Sequence, residues 1–282
     1  MERPDPVLVA PRRRLIVNAD DFGRSHSINA AVIHAHREGI LTTASLMVNE
    51  PACAEAVALA KENPKLGVGL HLTLLGGRAA LAAEKIPALV DAAGKFADNP
   101  VAVGLKYFFR PGLRAQLESE MAAQFEKFHA TGLKLDHVNG HLHLHLHPVV
   151  FRILMRRARD WGITHLRLTR DPFWMNVRLA GGAWLYRASH AVIFGALSAA
   201  ARSALVKRGI QFVPHVFGLL QNGRVDERFV ARLLGALPPG DSELYSHPSH
   251  DEFKHELDAL LSPAVRELIR AQNIELIRYQ DL

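Results

Sequence analysis

Cysteine is nearly absent: Cys53 is the only one in 282 residues. No disulfide can form within the chain, a reducing compartment fits, and a thiolate zinc site is excluded. Any metal must therefore sit on histidine, aspartate or glutamate. Met1 to Arg14 carries prolines and a basic triplet but lacks an apolar core, so the N-terminus does not read as a secretory signal. The formal charge of +6 comes without zinc-finger spacing or an RNP-like aromatic motif, and nucleic acid is not expected as a partner. Linkers, internal repeats and low-complexity tracts are missing, apart from one histidine run. What remains is 49% apolar and 22% charged, ordinary for a globular enzyme and too apolar for a disordered chain.

The histidine run is His137-Val-Asn-Gly-His141-Leu-His143-Leu-His145-Leu-His147. If it is extended at a strand end, alternate imidazoles share one face, a way to hold a divalent metal. Far upstream, Leu15-Ile-Val-Asn-Ala-Asp20-Asp21-Phe-Gly23 delivers two adjacent carboxylates at the end of a hydrophobic strand. Carboxylates in that place call for a cation or a reaction.

Apolar, β-branched runs predict strands near 14–19, 42–48, 66–72, 133–138, 164–169, 210–217, 242–246 and 274–279. Helical patterns alternate with them. One is capped by Ser27 and stops at Gly39, and one opens at Pro51. Others cover 113–131, run from Pro148 to Trp161, and cover 226–236 and 262–272. The expectation is an α/β fold, a closed or distorted, TIM-like (β/α) barrel forming one domain over 1–282 with insertions near 75–112 and 171–208.

Barrel chemistry gathers at the C-terminal ends of strands. Asp20 and Asp21 follow the first, Asn49 the second, His71 the third and the histidine run the fourth. Arg167 and Arg170 follow the fifth, His215 the sixth and His247 the seventh. One carboxylate with two imidazoles leaves positions open on a cation for water and a carbonyl oxygen. A second carboxylate can act as general base and a distant histidine as general acid, which describes a metal-assisted amide or ester hydrolase. Consecutive side chains at a strand end diverge, so one aspartate can face the metal and the other the water.

These motifs closely resemble the YdjC-like carbohydrate deacetylases, and within them the hopanoid-biosynthesis-associated deacetylases. The segments that carry the resemblance are 15–23, Thr43-Ala-Ser-Leu-Met-Val-Asn49, Gly69-Leu-His71-Leu-Thr73 and the histidine run up to Pro148. The resemblance implies hydrolysis of the N-acetyl group of an amino sugar, with the headgroup of a hopanoid lipid as one candidate. It implies one divalent cofactor ion, Mg2+ or Zn2+, held by Asp21, His71 and His141. Asp20 matches the base, and His247 falls where a His-Pro motif would supply the acid. Two positions depart from the family pattern. Asn139 stands where many members carry Asp, which bears on the tuning of His141. Ser249 stands where many carry Gly, which bears on His247 as the acid, with His143 and His145 as rival acids. Substrate contacts are expected at Asn49, His143, His145, Arg167 and His215.

The insertion at 171–208 contains an unusually apolar stretch, 183–197, interrupted by Arg187 and His190 and followed by Arg202, Lys207 and Arg208. Those charges make it a poor spanning helix. An interfacial helix, a buried lid or a homodimer contact would each look like this. The expected location is the cytoplasm, with peripheral contact at the inner membrane face in the first case. Two rival functions remain. Amidohydrolase-type barrels place His-x-His after the first strand, where this chain has Asp20-Asp21. A metal or lipid carrier would need neither that pair nor His71.

Overall fold

The computed structural model describes residues 12–282, so the reading of Met1 to Pro11 lies outside the described residues. Seven parallel strands form one sheet: β1 (Arg13–Phe22), β2 (Thr43–Leu46), β3 (Gly67–Leu72), β4 (Leu135–Gly140), β5 (His215–Phe217), β6 (Gly240–Ser246) and β7 (Ile274–Ile277). Their order is β4-β3-β2-β1-β6-β5. β1 pairs with β6 along Arg13–Ala19. On its other side it meets β7 at Arg13–Ile16 and β2 from Asn18 onward.

Alternation along β1 sets the two faces. Leu15, Val17 and Ala19 point into the apolar layer under the helices, and Ile16 belongs to a separate inner cluster with Val216, Tyr245, Ile277 and Tyr279. Asn18 and Asp20 continue the inner face and are polar.

The expected fifth strand, 164–169, is corrected to a thin bridged segment. Val138 N–H donates to His165 O at 3.0 Å and Arg167 N–H to Val138 O at 3.0 Å; on the other edge Leu166 N–H reaches Gln211 O at 3.0 Å. The expected strand at 210–217 shrinks to 215–217. Pro214 lies between Gln211 and His215 and has no N–H to give, so the ladder there cannot be continuous. This sparse segment joins the β4 and β5 edges of the curled sheet.

The helices that flank the sheet are α1 (His26–Glu38), α2 (Cys53–Glu62), α3 (Pro100–Phe109), α4 (Arg114–Ala130), α5 (Pro148–Arg157), α6 (Phe173–Leu179), α7 (Trp184–Lys207), α8 (Glu227–Ala236), α9 (Lys254–Leu261) and α10 (Pro263–Ala271). Ser25, rather than Ser27, caps α1 by accepting from Ile28 N–H. α2 begins at Cys53, two residues beyond Pro51. The sequence pattern missed α3, α6 and α9. Both insertions share the main core, through Phe96, Val103 and Tyr107 in the first and Leu179, Ala201 and Leu205 in the second.

Among the described residues, every exposed large apolar side chain lies on α3, α6, α7 or at Leu142. α7 is long and apolar enough to cross a membrane, and little of it is buried. Its first turn is nevertheless pinned to the protein. The fully buried Arg187 guanidinium donates to Ala180 O at 2.7 Å and to Asn176 Oδ1.

Candidate active site

The ends of β1, β3 and β4 bring Asp21, His71 and His141 together, with one donor atom of each lying within 4.8 Å of the others. Asp21 has φ +65°, a left-handed turn that throws its side chain away from that of Asp20. Asp21 Oδ1 lies 3.0 Å from His141 Nδ1 and 3.3 Å from His71 Nε2, while Oδ2 accepts from Arg24 at 2.7 Å. Burial works against charge on Asp21, but the adjacent His141 holds its carboxyl well below the usual range.

Asn139 fixes the state of His71. The Asn139 Nδ2 donates to Asp20 Oδ1 at 3.0 Å and to Ser45 Oγ at 2.8 Å, so its Oδ1 must face His71 Nδ1, at 2.7 Å. Nδ1 then carries the proton and Nε2 presents a lone pair toward Asp21 and His141. Lone pairs converging at this spacing fit a cation. This also corrects the expectation that Asn139 tunes His141: it bonds to His71.

Asp20 faces the other way. Its carboxylate accepts from Arg167 twice (Nη1 to Oδ2 at 2.7 Å, Nη2 to Oδ1 at 3.0 Å), and Oδ1 also accepts from Asn18 at 2.9 Å. Burial alone would raise the Asp20 pKa, but the paired Arg167 guanidinium overcomes it and keeps the group ionised across the ordinary pH range. Arg167 is 0% exposed, also pairs with Glu243 at 2.7 Å, and lies 4.4 Å from the centre of the Tyr245 ring. The expectation of a substrate contact at Arg167 is therefore corrected: its donors are spent on Asp20 and Glu243.

The histidine run is not extended past Gly140. It turns through a short 3-10 segment, His141–Leu146, in which Leu142 (φ +47°) and His143 (φ +57°) are left-handed. Two such residues cost on the order of 1 kcal/mol or more each. The turn sends the imidazoles to separate places. His143 Nε2 lies 2.9 Å from Tyr245 Oη, and His145 Nε2 donates to Arg167 O at 2.9 Å. His147 caps α5 and donates to Gly104 O at 3.1 Å. Burial pushes His143 well below its ordinary pKa and His145 down to about 3, so both are neutral at working pH. Neither is suited to deliver a proton, and His145, 0% exposed, cannot touch substrate.

A cleft of ≈ 990 Å³ reaches the cluster at Asp21 and is lined also by Arg24, Arg78, Asp98, Lys106 and His247. His247 N–H donates to the buried Glu256 carboxylate at 2.6 Å, whose Oε2 also lies 3.9 Å from the ring Nδ1. Asn49 and His215 do not line this cleft. Asn49 donates to Arg78 O at 3.2 Å and accepts from Lys127 at 3.2 Å. His215 has a buried, unpartnered Nδ1 beside Arg170.

Sequence reasoning missed the polar lining of the barrel at Asn18, Ser45, Glu243 and Tyr279, and read His137 only as part of the histidine run. His137 stacks on Tyr279 with centroids 4.5 Å apart and bonds Ser45 Oγ at 2.9 Å. Gly69 makes room for it, since a Cβ there would come within 2.5 Å of the imidazole. The signal was available as polar residues at every second strand position, Asn18/Asp20, Thr43/Ser45 and His137/Asn139.

Comparison with known proteins gives a consistent picture. The family described as YdjC-like protein matches residues 14–271. A carbohydrate deacetylase of Clostridium beijerinckii is 31% identical over 286 residues, 95% of this chain and 100% of the relative. One from Brevibacillus brevis is 40% identical over 150 residues, and there the match spans only 57% of the relative's length. A crystal structure from Enterococcus faecalis V583, described as a candidate cellobiose-phosphate cleavage protein, superposes with TM-score 0.75 at 21% identity, covering 96% of this chain and 98% of that one. At that identity the likeness concerns the fold.

Proposed function

The chain belongs to the YdjC-like protein family, and on that footing we propose that it is a metal-dependent N-deacetylase of an acetylated amino sugar. The observation that carries the reading is the convergence of Asp21, His71 and His141, with His71 Nε2 held as a lone pair by Asn139, beside a cleft that Asp21 and His247 both line. A divalent cation on those three residues supplies Lewis acidity; two imidazoles in the set favour Zn2+ over Mg2+.

The chain's own groups divide the proton work. Water adds to the acetyl carbon while Asp20 takes its proton. Of the two Asp20 oxygens, Oδ1 accepts from Asn18, Asn139 and Arg167 but Oδ2 from Arg167 alone, so Oδ2 has capacity left for that proton. Arg167 positions the carboxylate and keeps it ionised. His247 gives a proton to the departing nitrogen as the C–N bond breaks, leaving acetate and a free amine. Glu256 holds the His247 backbone in place.

The test is release of acetate from N-acetylglucosamine oligomers before and after chelation. We expect activity to vanish with the metal and return with Zn2+. Acetate release that survives complete metal removal would overturn the reading.

The apolar side chains on α3, at Leu142 and on α6 and α7 favour one refinement. Phe108 packs on His147 and Phe194 on His143, so α3 and α7 flank the turn that follows β4 at the mouth of the barrel. A substrate whose sugar is attached to a membrane lipid, a hopanoid among them, would bring such a rim against a bilayer from the cytoplasmic side. A second copy of the chain is the competing cover for the same surface.

A further inference from the structure

Away from the catalytic cleft, α5 and α7 lie side by side without filling the space between them. Leu197, Ala200, Ala201, Ala204 and Arg208 follow one another at helical spacing and face Phe151, Met155 and their neighbours across a groove of ≈ 1090 Å³. The groove exists because α7 presents alanines where a packed helix pair would carry larger side chains. Its lining is otherwise apolar, with Leu146, Ile163 and Ile210 as floor, and it shares no residue with the cleft over Asp21.

The rim has one sign of charge. Arg152, Arg156, Arg159 and Arg208 line the groove and no acidic residue does. Arg156 is paired with Glu118, and Arg208 donates to the Met155 carbonyl at 2.9 Å. Arg152 and Arg159 are exposed, with no acidic partner among the described residues. An apolar trough about 15 Å long, the length of the ten-residue α5, is thus edged by unneutralised guanidinium groups.

We propose that this groove is a second binding site, which takes one long-chain amphiphile with a single anionic headgroup. The alkyl chain lies on the alanine stripe of α7, and the headgroup is held by Arg152 and Arg159. The carboxylate of a free fatty acid is the form that fits: a single negative charge satisfied by a guanidinium pair, and a chain that replaces water along the floor.

The probe is laurate below its critical micelle concentration, titrated calorimetrically into the full chain, with dodecanol and acetate as controls for chain and charge. We expect one saturable laurate site per chain and no binding of acetate. Ala204→Trp, which fills the groove, should weaken laurate about tenfold or more. Arg152→Gln with Arg159→Gln, at exposed positions that leave the core untouched, should weaken laurate about tenfold and leave dodecanol unchanged. Absence of a saturable site in the unmodified chain overturns the proposal, as does laurate binding that is indifferent to Ala204→Trp. Equal weakening of laurate and dodecanol by the arginine pair overturns the headgroup assignment. Since binding rather than turnover is read, failure here leaves the deacetylase reading intact, and the converse also holds.

Discussion

Asn139 touches both halves of the candidate site, donating to Asp20 and accepting from His71. Its replacement by Leu should therefore disturb two things at once. Metal affinity should fall about 10–100-fold, as is usual when the partner of a ligating histidine is lost. Direct ligand removal should do more: His71→Ala and His141→Ala are expected to lose the ion outright while remaining folded, read by elemental analysis of the purified variants. Asp20→Asn separates base from ligand. It should keep the metal and lose on the order of 10²–10⁴ in kcat. Because it also strips a buried guanidinium of its partner, its Tm must be measured alongside. Near-native turnover in metal-loaded Asp20→Asn would reverse the roles of the two aspartates. For His247→Ala, amide cleavage should suffer more than cleavage of an activated acetate ester, since a phenolate leaves without a proton. Equal losses on both substrates would mark His247 as a binding residue instead.

At the scale of elements, the segment leading into α6 and α7 holds a carboxylate with no cationic side chain bonded to it among the described residues. Asp171 accepts from Leu220 N–H at 3.0 Å and more weakly from Asn176, which is itself bonded to Arg187. Burial pushes its pKa up to about 7. A raised pKa means that the folded chain keeps a proton the unfolded chain has lost, so this group's contribution falls as pH rises from about 4 to about 7, by up to about 1.4 kcal/mol per pH unit. Asp171→Asn should flatten that part of the stability curve; parallel Tm-versus-pH curves for the two proteins would refute the assignment.

These same elements show how far the pattern of residues could be read. The strands β1, β3 and β4 stand where the residue pattern puts them. The bridged segment at 164–169 looked like a strand because Leu166 and Leu168 alternate with polar residues, yet Pro214 withholds a donor from its neighbour. Asp21, His71 and His141 could be singled out by their positions at strand ends. The separate fates of His143, His145 and Arg167 could not, since the two left-handed residues after His141 are neither Gly nor Asn and leave no local mark.

For the whole molecule, the distribution of exposed apolar surface matters most. With Trp174, Trp184 and Leu185 all more than half exposed, the rim formed by α3, α6 and α7 should bring the chain to anionic vesicles at low salt and release it as salt screens nearby Arg and Lys side chains. Co-sedimentation at two ionic strengths reads this. A chain that instead sediments as a dimer and ignores vesicles would assign the rim to a second copy.

The pairing of β1 has a consequence for how the protein is made. This strand depends on partners translated much later, as in the contact of Arg14 with Asp241, 227 residues on. At 5–20 residues per second, a ribosome needs roughly 10–50 seconds to travel from β1 to β7. During that interval only the upper half of β1 can find its partner in β2, while Leu15-Ile16-Val17 remains an open, sticky edge. Barrel closure therefore waits until β6 and β7 have been made, and the chain in that interval is the form most in need of a chaperone.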